Sequence, residues 1–354
     1  MADENITIGQ VTTSNTGATA GTLTSTEGGV VDGNTGGADV IAGGRLVIDA
    51  VTGVGNGGAL ETTVASVDID NATSGNIEIS ETNAITVFKA VQGTAGNIVM
   101  TTSGTITVDN AGAGNAIAAA GTGTVTLDAN GTASDLLVND GILSVNGAIT
   151  LTADNDVIFQ ADGDITSTAG AVAITADTDN GGATSGALTM VDGTVINAGN
   201  ATIALLADEN ITLGQVTTTN TGATAVTLTT REGGIVDGGD TGGADVIAGG
   251  RLVVDAVTGV GNGGAIETTV KSLDIDTITS GDITIDNNFA AGTVRLIKLS
   301  VASGNGIVNF TNTGNQALRI ANVTTNNGNI TITNNGDANT DAITINTPVV
   351  TSGT

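Results

Sequence analysis

One long block of this sequence occurs twice, and that duplication limits the possible folds more than any other feature. The segment that begins at Ala2 recurs from Ala207, a shift of 205 positions, and an extra residue, Gly239, raises the shift to 206. Gly36–Val64 then matches Gly242–Val270, mostly through identical residues or exchanges among Ile, Val and Leu that preserve apolar volume. Duplication of this kind is typical of repeat proteins whose units stack on one another.

The duplication predicts two superrepeats within one continuous solenoid. We place the first at residues 1–205 and the second at residues 206–354, with similarity to the first through about residue 283. The strand-like run Ala201–Leu206 precedes the second copy, whereas Met1 stands in place of Leu206 in the first. The first superrepeat therefore begins in mid-pattern, and we expect the sequence to be a fragment of a longer array.

A shorter motif, glycine followed by alternating apolar residues, recurs inside the superrepeats. Each instance predicts a turn glycine and a short strand whose alternate side chains point inward. A meander of hairpins is the alternative, but Asp-Gly and Asn-Gly pairs such as Asp32-Gly33 are outnumbered by longer connections. The motif occurs at Gly75–Ile79, Gly96–Met100, Gly104–Val108, Gly123–Leu127, Gly147–Leu151, Gly170–Ile174, Gly186–Met190, Gly281–Ile285 and Gly328–Ile332.

These patterns predict an all-β fold, namely a right-handed parallel β-helix (β-solenoid). With about 20 residues per coil, we expect an elongated rod of about 15–18 coils. The chain has no Trp or Tyr and four Phe, so its core is built from Val, Ile, Leu and Ala, which suit a narrow repetitive interior. Turn residues such as Asn76, Asn97 and Asn329 are expected to form hydrogen-bonded ladders along the axis.

The charge of the chain excludes several classes of partner. The formal net charge is −28, from 36 acidic and 8 basic residues. Nucleic-acid binding requires clustered Lys and Arg, so we expect no nucleic-acid partner, and an anionic membrane surface is disfavoured for the same reason. No run approaches the roughly 18 apolar residues of a membrane span, so we expect no membrane insertion in this segment.

Enzymatic chemistry has little support in the sequence. The absence of His and Cys excludes Ser-His-Asp and Cys-His catalysis together with zinc sites built on those ligands. Paired carboxylates such as Asp68/Asp70 and Asp274/Asp276 fall on strand-like segments, where a solvated face is the simpler interpretation. Arg45 and Arg251 occupy equivalent positions in the two copies, which favours a structural salt bridge over a single catalytic base. We predict that the chain is not an enzyme and has no catalytic residues.

Calcium is the ligand that the acidic turns favour, although we expect no required cofactor. Hard cations bind several carboxylate and carbonyl oxygens, and Gly/Asp/Asn turns supply both. Asp32 and Asp39 are the counterparts of two candidates in the second copy. The candidate calcium ligands are Asp177, Asp179, Asn180, Asp237, Asp240 and Asp245.

The glycine-led strands and the duplicated block resemble the β-helical repeats of filamentous-haemagglutinin-like large exoproteins and giant repetitive surface proteins of bacteria. The resemblance covers nearly the whole chain and rests on motifs such as Gly75–Ile79 and on the block Gly36–Val64 with its second copy. It implies secretion, a β-helical stalk and roles in adhesion, cell contact or surface coating. The resemblance identifies no functional residues, because the repeats of this family supply a scaffold.

The functional prediction is therefore an extracellular structural or adhesive stalk segment of a very large repetitive bacterial surface or secreted protein. Its expected partners are further copies of itself, joined end to end or laterally, or a host or neighbouring-cell surface or glycan. One alternative is a self-assembling extracellular filament, sheath or surface-layer subunit. Another is a carbohydrate-active β-helix, which would require a defined cleft with clustered carboxylates and a base.

Overall fold

The regular elements of the chain are short β-strands. The structure is a computed structural model that describes residues 1–34, 36–112, 114–178, 186–239, 243–336, 342–346 and 349–351. No helix occurs among these residues, so none of them belongs to a helix long and apolar enough to cross a membrane. The chain divides into two compact units, Met1–Gly181 (unit 1) and Gly182–Thr354 (unit 2).

Unit 1 contains strands β1 to β18, most of them three to five residues long. Two strands are much longer, 11 and 12 residues, and both lie in the duplicated block. The strands are β1 Ile6–Ile8, β2 Val11–Thr13, β3 Gly21–Thr24, β4 Val30–Asp32, β5 Val40–Ala50, β6 Leu60–Asn71, β7 Ile77–Glu81, β8 Ile85–Gln92, β9 Ile98–Thr102, β10 Ile106–Val108, β11 Asn115–Ala119, β12 Val125–Ala129, β13 Leu136–Val138, β14 Gly141–Ser144, β15 Ile149–Ala153, β16 Val157–Phe159, β17 Ile165–Ser167 and β18 Val172–Ala176.

The strands of unit 1 pair in parallel with their counterparts one coil away. Along one column Ile77, Ile98, Val125, Ile149 and Val172 are successive Cα partners. The coils between them differ in length, and the coil from Ile98 to Val125 is clearly longer than the one from Ile77 to Ile98. The register is nevertheless kept, because the extra residues are placed in turns. Parallel pairing between successive coils is the pattern of a solenoid and not of a hairpin meander.

Unit 2 contains strands β19 to β36 and repeats the long pair of unit 1 as β26 and β28. Its strands are β19 Leu188–Met190, β20 Val195–Asn197, β21 Ile203–Ala207, β22 Ile211–Leu213, β23 Gln215–Thr218, β24 Val226–Thr230, β25 Ile235–Asp237, β26 Val246–Ala256, β27 Val260–Asn262, β28 Ile266–Thr277, β29 Ile283–Asn287, β30 Val294–Val301, β31 Val308–Asn312, β32 Leu318–Ile320, β33 Val323–Thr325, β34 Ile330–Asn334, β35 Ile343–Ile345 and β36 Val349–Thr351. These strands also pair in parallel from coil to coil, as in the column Ile211, Ile235, Val260 and Ile283.

The core is a stack of aliphatic side chains. In most strands buried and half-buried residues alternate, as in β12 and β15, because successive side chains of a strand point to opposite faces. Phe159 and Phe310 are the largest fully buried side chains, and the rest of the interior is mainly Ile, Leu, Val and Ala. The predicted core composition is therefore confirmed.

Polar ladders accompany the aliphatic stack. The backbone amide of Asn97 donates to Asn76 Oδ1 at 2.9 Å, one coil away, as the sequence predicted for these turn residues. In unit 2 Asn287 Nδ2 donates to Asn312 Oδ1 at 3.1 Å, and Asn312 Nδ2 donates to Asn334 Oδ1 at 2.7 Å. Each such bond satisfies a polar group that the coil places inside or at a corner.

The fold is the predicted parallel β-helix, with a smaller number of turns. The stacked strands make about 14 turns, fewer than the 15–18 that we expected. The difference follows from coil length, because every coil in the two columns above is longer than the expected length. Long Gly/Asn/Thr connections between short strands account for the additional residues.

Candidate metal centre

Three carboxylates meet at one corner of unit 1. Asp32 is the last residue of β4, Asp39 directly precedes β5, and Glu61 is the second residue of β6. The pairing of Val40 with Thr62 places Asp39 beside Glu61 in the neighbouring coil. One carboxylate oxygen from each of the three acidic residues lies within 4.8 Å of the others. We call Asp32, Asp39 and Glu61 the first triad.

Local hydrogen bonds fix Asp39 at the centre of the first triad. Asp39 is fully buried, and its Oδ2 accepts a hydrogen bond from the Glu61 backbone amide at 3.0 Å. Asn34 Nδ2 donates to Asp39 Oδ1 at 2.6 Å, while the Asn34 amide donates to Asp32 Oδ1 at 2.8 Å. Glu61 Oε2 is a buried oxygen that receives no hydrogen bond from the protein. The triad is therefore rigidly held but leaves acceptor capacity unused.

The electrostatics of the first triad favour a bound positive charge. Burial, assisted by the Glu61 and Asp32 carboxylates, raises the pKa of Asp39 from 3.8 to about 6, while the hydrogen bond from the Glu61 amide opposes this shift. A proton on one carboxyl group relieves the repulsion among like charges. A divalent cation would relieve the same repulsion, so protons and cations are expected to compete for this corner.

The second copy builds the same arrangement in unit 2. Asp237, Asp245 and Glu267, the second triad, also place one carboxylate oxygen each within 4.8 Å of the others. The Glu267 amide donates to Asp245 Oδ2 at 3.0 Å, which reproduces the bond between Glu61 and Asp39. Asp245 is buried, as Asp39 is. The duplication has thus preserved the carboxylates together with their geometry.

The structure brings together two of the six predicted calcium ligands. Asp237 and Asp245 meet in the second triad, and their counterparts Asp32 and Asp39 meet in the first. Asp177 is buried after β18, with a positive φ of 57°, and among the described residues it belongs to no carboxylate triad. Asp179, Asn180 and Asp240 lie outside the described residues.

The two glutamates of the triads are not among the ligands that the sequence motifs predict. Glu61 follows Asp39 at the same spacing at which Glu267 follows Asp245, and this spacing is one coil in both copies. The equal offset was the available signal. It can be interpreted only once the coil length at this point is known, because coils elsewhere differ by several residues.

The triads have the donor chemistry of a site for a hard cation. Ca²⁺ takes six to eight oxygen ligands at about 2.3–2.6 Å, supplied by carboxylates, carbonyl groups and water. Three carboxylates from two neighbouring coils provide part of such a set, and Glu61 Oε2 has an acceptor position to spare. The residues therefore fit a calcium ion, and calcium binding stays a prediction.

Among the described residues, the salt bridge predicted for Arg251 forms, and the one predicted for its counterpart Arg45 does not. Arg251 contacts Asp274 at 3.2 Å, as predicted, and Asp276 contacts Lys298 at 2.6 Å. Arg45 behaves differently from its counterpart Arg251. Its guanidinium carbon lies 3.5 Å from the ring centroid of Phe88, and no ion pair within 4.0 Å involves Arg45 in the described part of the chain.

A second group of carboxylates lines an open groove in unit 1. Asp140, Asp162 and Asp164 surround a cavity of about 480 Å³ together with Asn115 and small glycine-rich turns. Asp140 is mostly buried and accepts a hydrogen bond from the Asn110 amide at 2.6 Å. The groove thus brings Asp162 and Asp164 together with Asp140 from a neighbouring coil.

No family model matches the chain, and no curated protein or solved structure is significantly similar to it.

Proposed function

We propose that this chain is a structural segment of an extracellular adhesive stalk, part of a very large repetitive bacterial surface or secreted protein. The observation that carries the proposal is the duplicated strand pair. β5 pairs in parallel with β6, with Val40 opposite Thr62. The register shifts after Ala42, and the pairing continues from Arg45 opposite Ser66. β26 and β28 repeat every step, including the register shift between Ala248 and Arg251.

Identical register in both copies supports a role that depends on length. In a solenoid each repeat contacts its neighbours, so a duplicated unit can be inserted without rebuilding a global core. The exchanges between copies are conservative inside the coil, as with Leu60 and Ile266, which are both buried. Duplication under these conditions lengthens a scaffold, which is what a stalk requires.

The extracellular setting is supported by composition and resemblance. The chain has no Cys, so an oxidising environment outside the cell would not alter it through thiol chemistry. Its net charge of −28 favours solubility and discourages lateral association. The resemblance of its repeats to those of large bacterial exoproteins points to the same setting.

Immunogold electron microscopy of the producing cells tests the stalk proposal. Antibodies raised against this chain are expected to label the cell exterior or the medium. Antibodies against a cytoplasmic enzyme of the same cells serve as the control for leakage. Labelling confined to the cytoplasm would contradict the proposal.

A self-assembling filament subunit is a second candidate, which one observation favours. β35 and β36 carry apolar side chains that are exposed, with Ile343 at 45%, Ile345 at 57% and Val350 at 42%. Exposed apolar strands are templates for pairing with another chain. Electron microscopy of the purified chain separates the candidates, because fibres or lattices favour the filament and discrete monomeric particles favour the stalk.

A further inference from the structure

Half of the cations in this acidic chain lie together in unit 2. The chain has only eight Lys and Arg residues. Arg251 is the Cα partner of Ser272, Ser272 is the partner of Arg295, and Arg295 is the partner of Arg319. Lys271 adjoins Ser272 on the same strand. We call Arg251, Lys271, Arg295 and Arg319 the basic ladder.

The side chains of the basic ladder point outward over successive coils. Lys271, Arg295 and Arg319 are exposed, and Arg251 is half-buried. Neighbouring parallel strands lie about 4.8 Å apart, so Arg295 and Arg319 stack two positive charges on adjacent rungs. Like charges directly opposite one another destabilise a sheet. This arrangement therefore costs free energy that an anion lying along the ladder would recover.

Among the described residues, a carboxylate contacts only one member of the ladder. Asp274 contacts Arg251 at 3.2 Å. Within the described residues, Lys271, Arg295 and Arg319 have no carboxylate within 4.0 Å. The contact between Arg251 and Asp274 thus shows that a carboxylate suits this site. In the part of the chain that the structure describes, the other three cations of the ladder have no such carboxylate partner.

The first copy provides a natural comparison. Its positions equivalent to Arg251, Lys271 and Ser272 are Arg45, Ala65 and Ser66, and the next two rungs carry Thr86 and Thr107. One cation in unit 1 therefore corresponds to four in unit 2. The bulged residue on the third rung also differs, because Phe88 stacks on Arg45 in the first copy, whereas the counterpart of Phe88 in the second copy is Ile297. Arg295 and Arg319 lie beyond residue 283, where the similarity between the two copies ends.

A groove beside the ladder has room for a ligand. It has a volume of about 280 Å³ and is lined by Arg251, Lys271 and Arg295, by hydroxyl groups, and by small residues. The hydroxyl groups belong to Thr221 and Ser272, and the small residues are Gly222, Ala223 and Gly250. Small residues let a ring approach the backbone closely, and hydroxyl groups can bond to sugar hydroxyls.

We propose that the basic ladder binds the carboxylates of an acidic polysaccharide. Guanidinium groups bind planar carboxylates through paired hydrogen bonds, and the cations spaced along successive rungs suit a polymer with repeated carboxylates. The charge of −28 does not prevent this, since at about 0.15 M salt charges are screened beyond roughly 8 Å. Acidic polysaccharides would then be the class of partner that the adhesive stalk binds. The biological setting of this inference rests on the proposed function.

Binding of fluorescently labelled polygalacturonate to the whole chain tests the proposal. At about 0.15 M salt the wild-type chain is expected to bind, and Arg295→Thr/Arg319→Thr, which restores the residue type of the first copy, is expected to bind at least tenfold more weakly. Both positions are exposed, Thr suits a strand, and the variant relieves the repulsion between the two charges, so it should melt at or slightly above the wild-type temperature. Melting is followed by circular dichroism.

The controls separate a specific site from bulk charge. Lys89→Ala/Lys298→Ala also removes two positive charges, but from side chains outside the ladder that pair with Asp70 and Asp276. This control variant should bind polygalacturonate within twofold of the wild-type affinity. Polyglutamate and uncharged dextran should bind much more weakly than polygalacturonate. Absent wild-type binding, equal loss in both double variants, or equal binding of polyglutamate would each overturn the proposal. None of these results bears on cell-surface labelling, so failure of the stalk proposal would be recognised separately.

Discussion

At the scale of single residues, Asp39 makes the stability of the chain depend on pH. Its pKa in the folded chain is raised from 3.8 to about 6, mainly by burial. Its stabilising contribution is therefore fully present below about pH 3.8 and is lost as the pH rises through 6. A shift of this size corresponds to about 3 kcal/mol. The chain is expected to be more stable near pH 4 than near pH 7 on account of this group.

Replacement of Glu61 tests this dependence. Glu61→Gln removes one charge beside Asp39 and lets the new amide donate a hydrogen bond to a neighbouring carboxylate, so the pKa of Asp39 should fall towards its ordinary value. The loss of unfolding free energy between pH 4 and pH 7 should shrink by about 1 kcal/mol. Urea unfolding at both pH values measures it. Glu27→Gln, at an exposed position, is the control, and an equal change in both variants would contradict the prediction.

At the scale of elements, a column of glycines explains the motif that precedes the strands. A β-carbon on Gly123 would overlap the carbonyl oxygen of Gly96, and one on Gly147 would overlap that of Gly123. The contact recurs between Gly170 and Gly147, and in unit 2 between Gly328 and Gly306. Successive coils thus approach so closely at this corner that a side chain has no space.

Substitution of a glycine in this column should be costly. Gly123→Ala forces the β-carbon into the backbone of the coil that precedes it, and we expect a loss of about 2–4 kcal/mol in unfolding free energy. Gly112→Ala is the matched control, because the nearest atom to its β-carbon would lie 3.7 Å away. Denaturant unfolding of both variants measures the difference. Equal stability of the two would show that the corner can relax.

The strands could be predicted from the sequence because their signals are local. Gly147–Leu151 contains the turn glycine and the alternating apolar residues that predict a strand, and β15 begins within it. Both signals lie within a few residues and do not depend on distant parts of the chain. Coil length has no local signal, since turns absorb a variable number of residues without changing register. The partner of Asp39 in the next coil therefore could not be predicted, although Asp39 itself was found. The bulge that places Phe88 over Arg45 was missed for the same reason.

At the scale of the whole molecule, duplication places the same carboxylate triad in both units. A ligand that binds the folded triads and not the unfolded chain stabilises each unit by about 2.7 kcal/mol at a concentration one hundred times its dissociation constant. Because protons compete for Asp39, whose pKa is about 6, the effect of a cation should be larger at pH 7 than at pH 5. Both units should respond, since both keep the geometry.

We therefore expect Ca²⁺ to raise the melting temperature by several degrees at pH 7, and a chelator to reverse the change. Differential scanning calorimetry with millimolar Ca²⁺ or EGTA measures it. Glu61→Gln/Glu267→Gln, which removes one carboxylate from each triad, should lose most of the shift, whereas Glu27→Gln/Glu78→Gln changes the charge equally and should keep it. No shift in the wild-type chain, or the same shift in both double variants, would mean that the triads hold protons and not calcium.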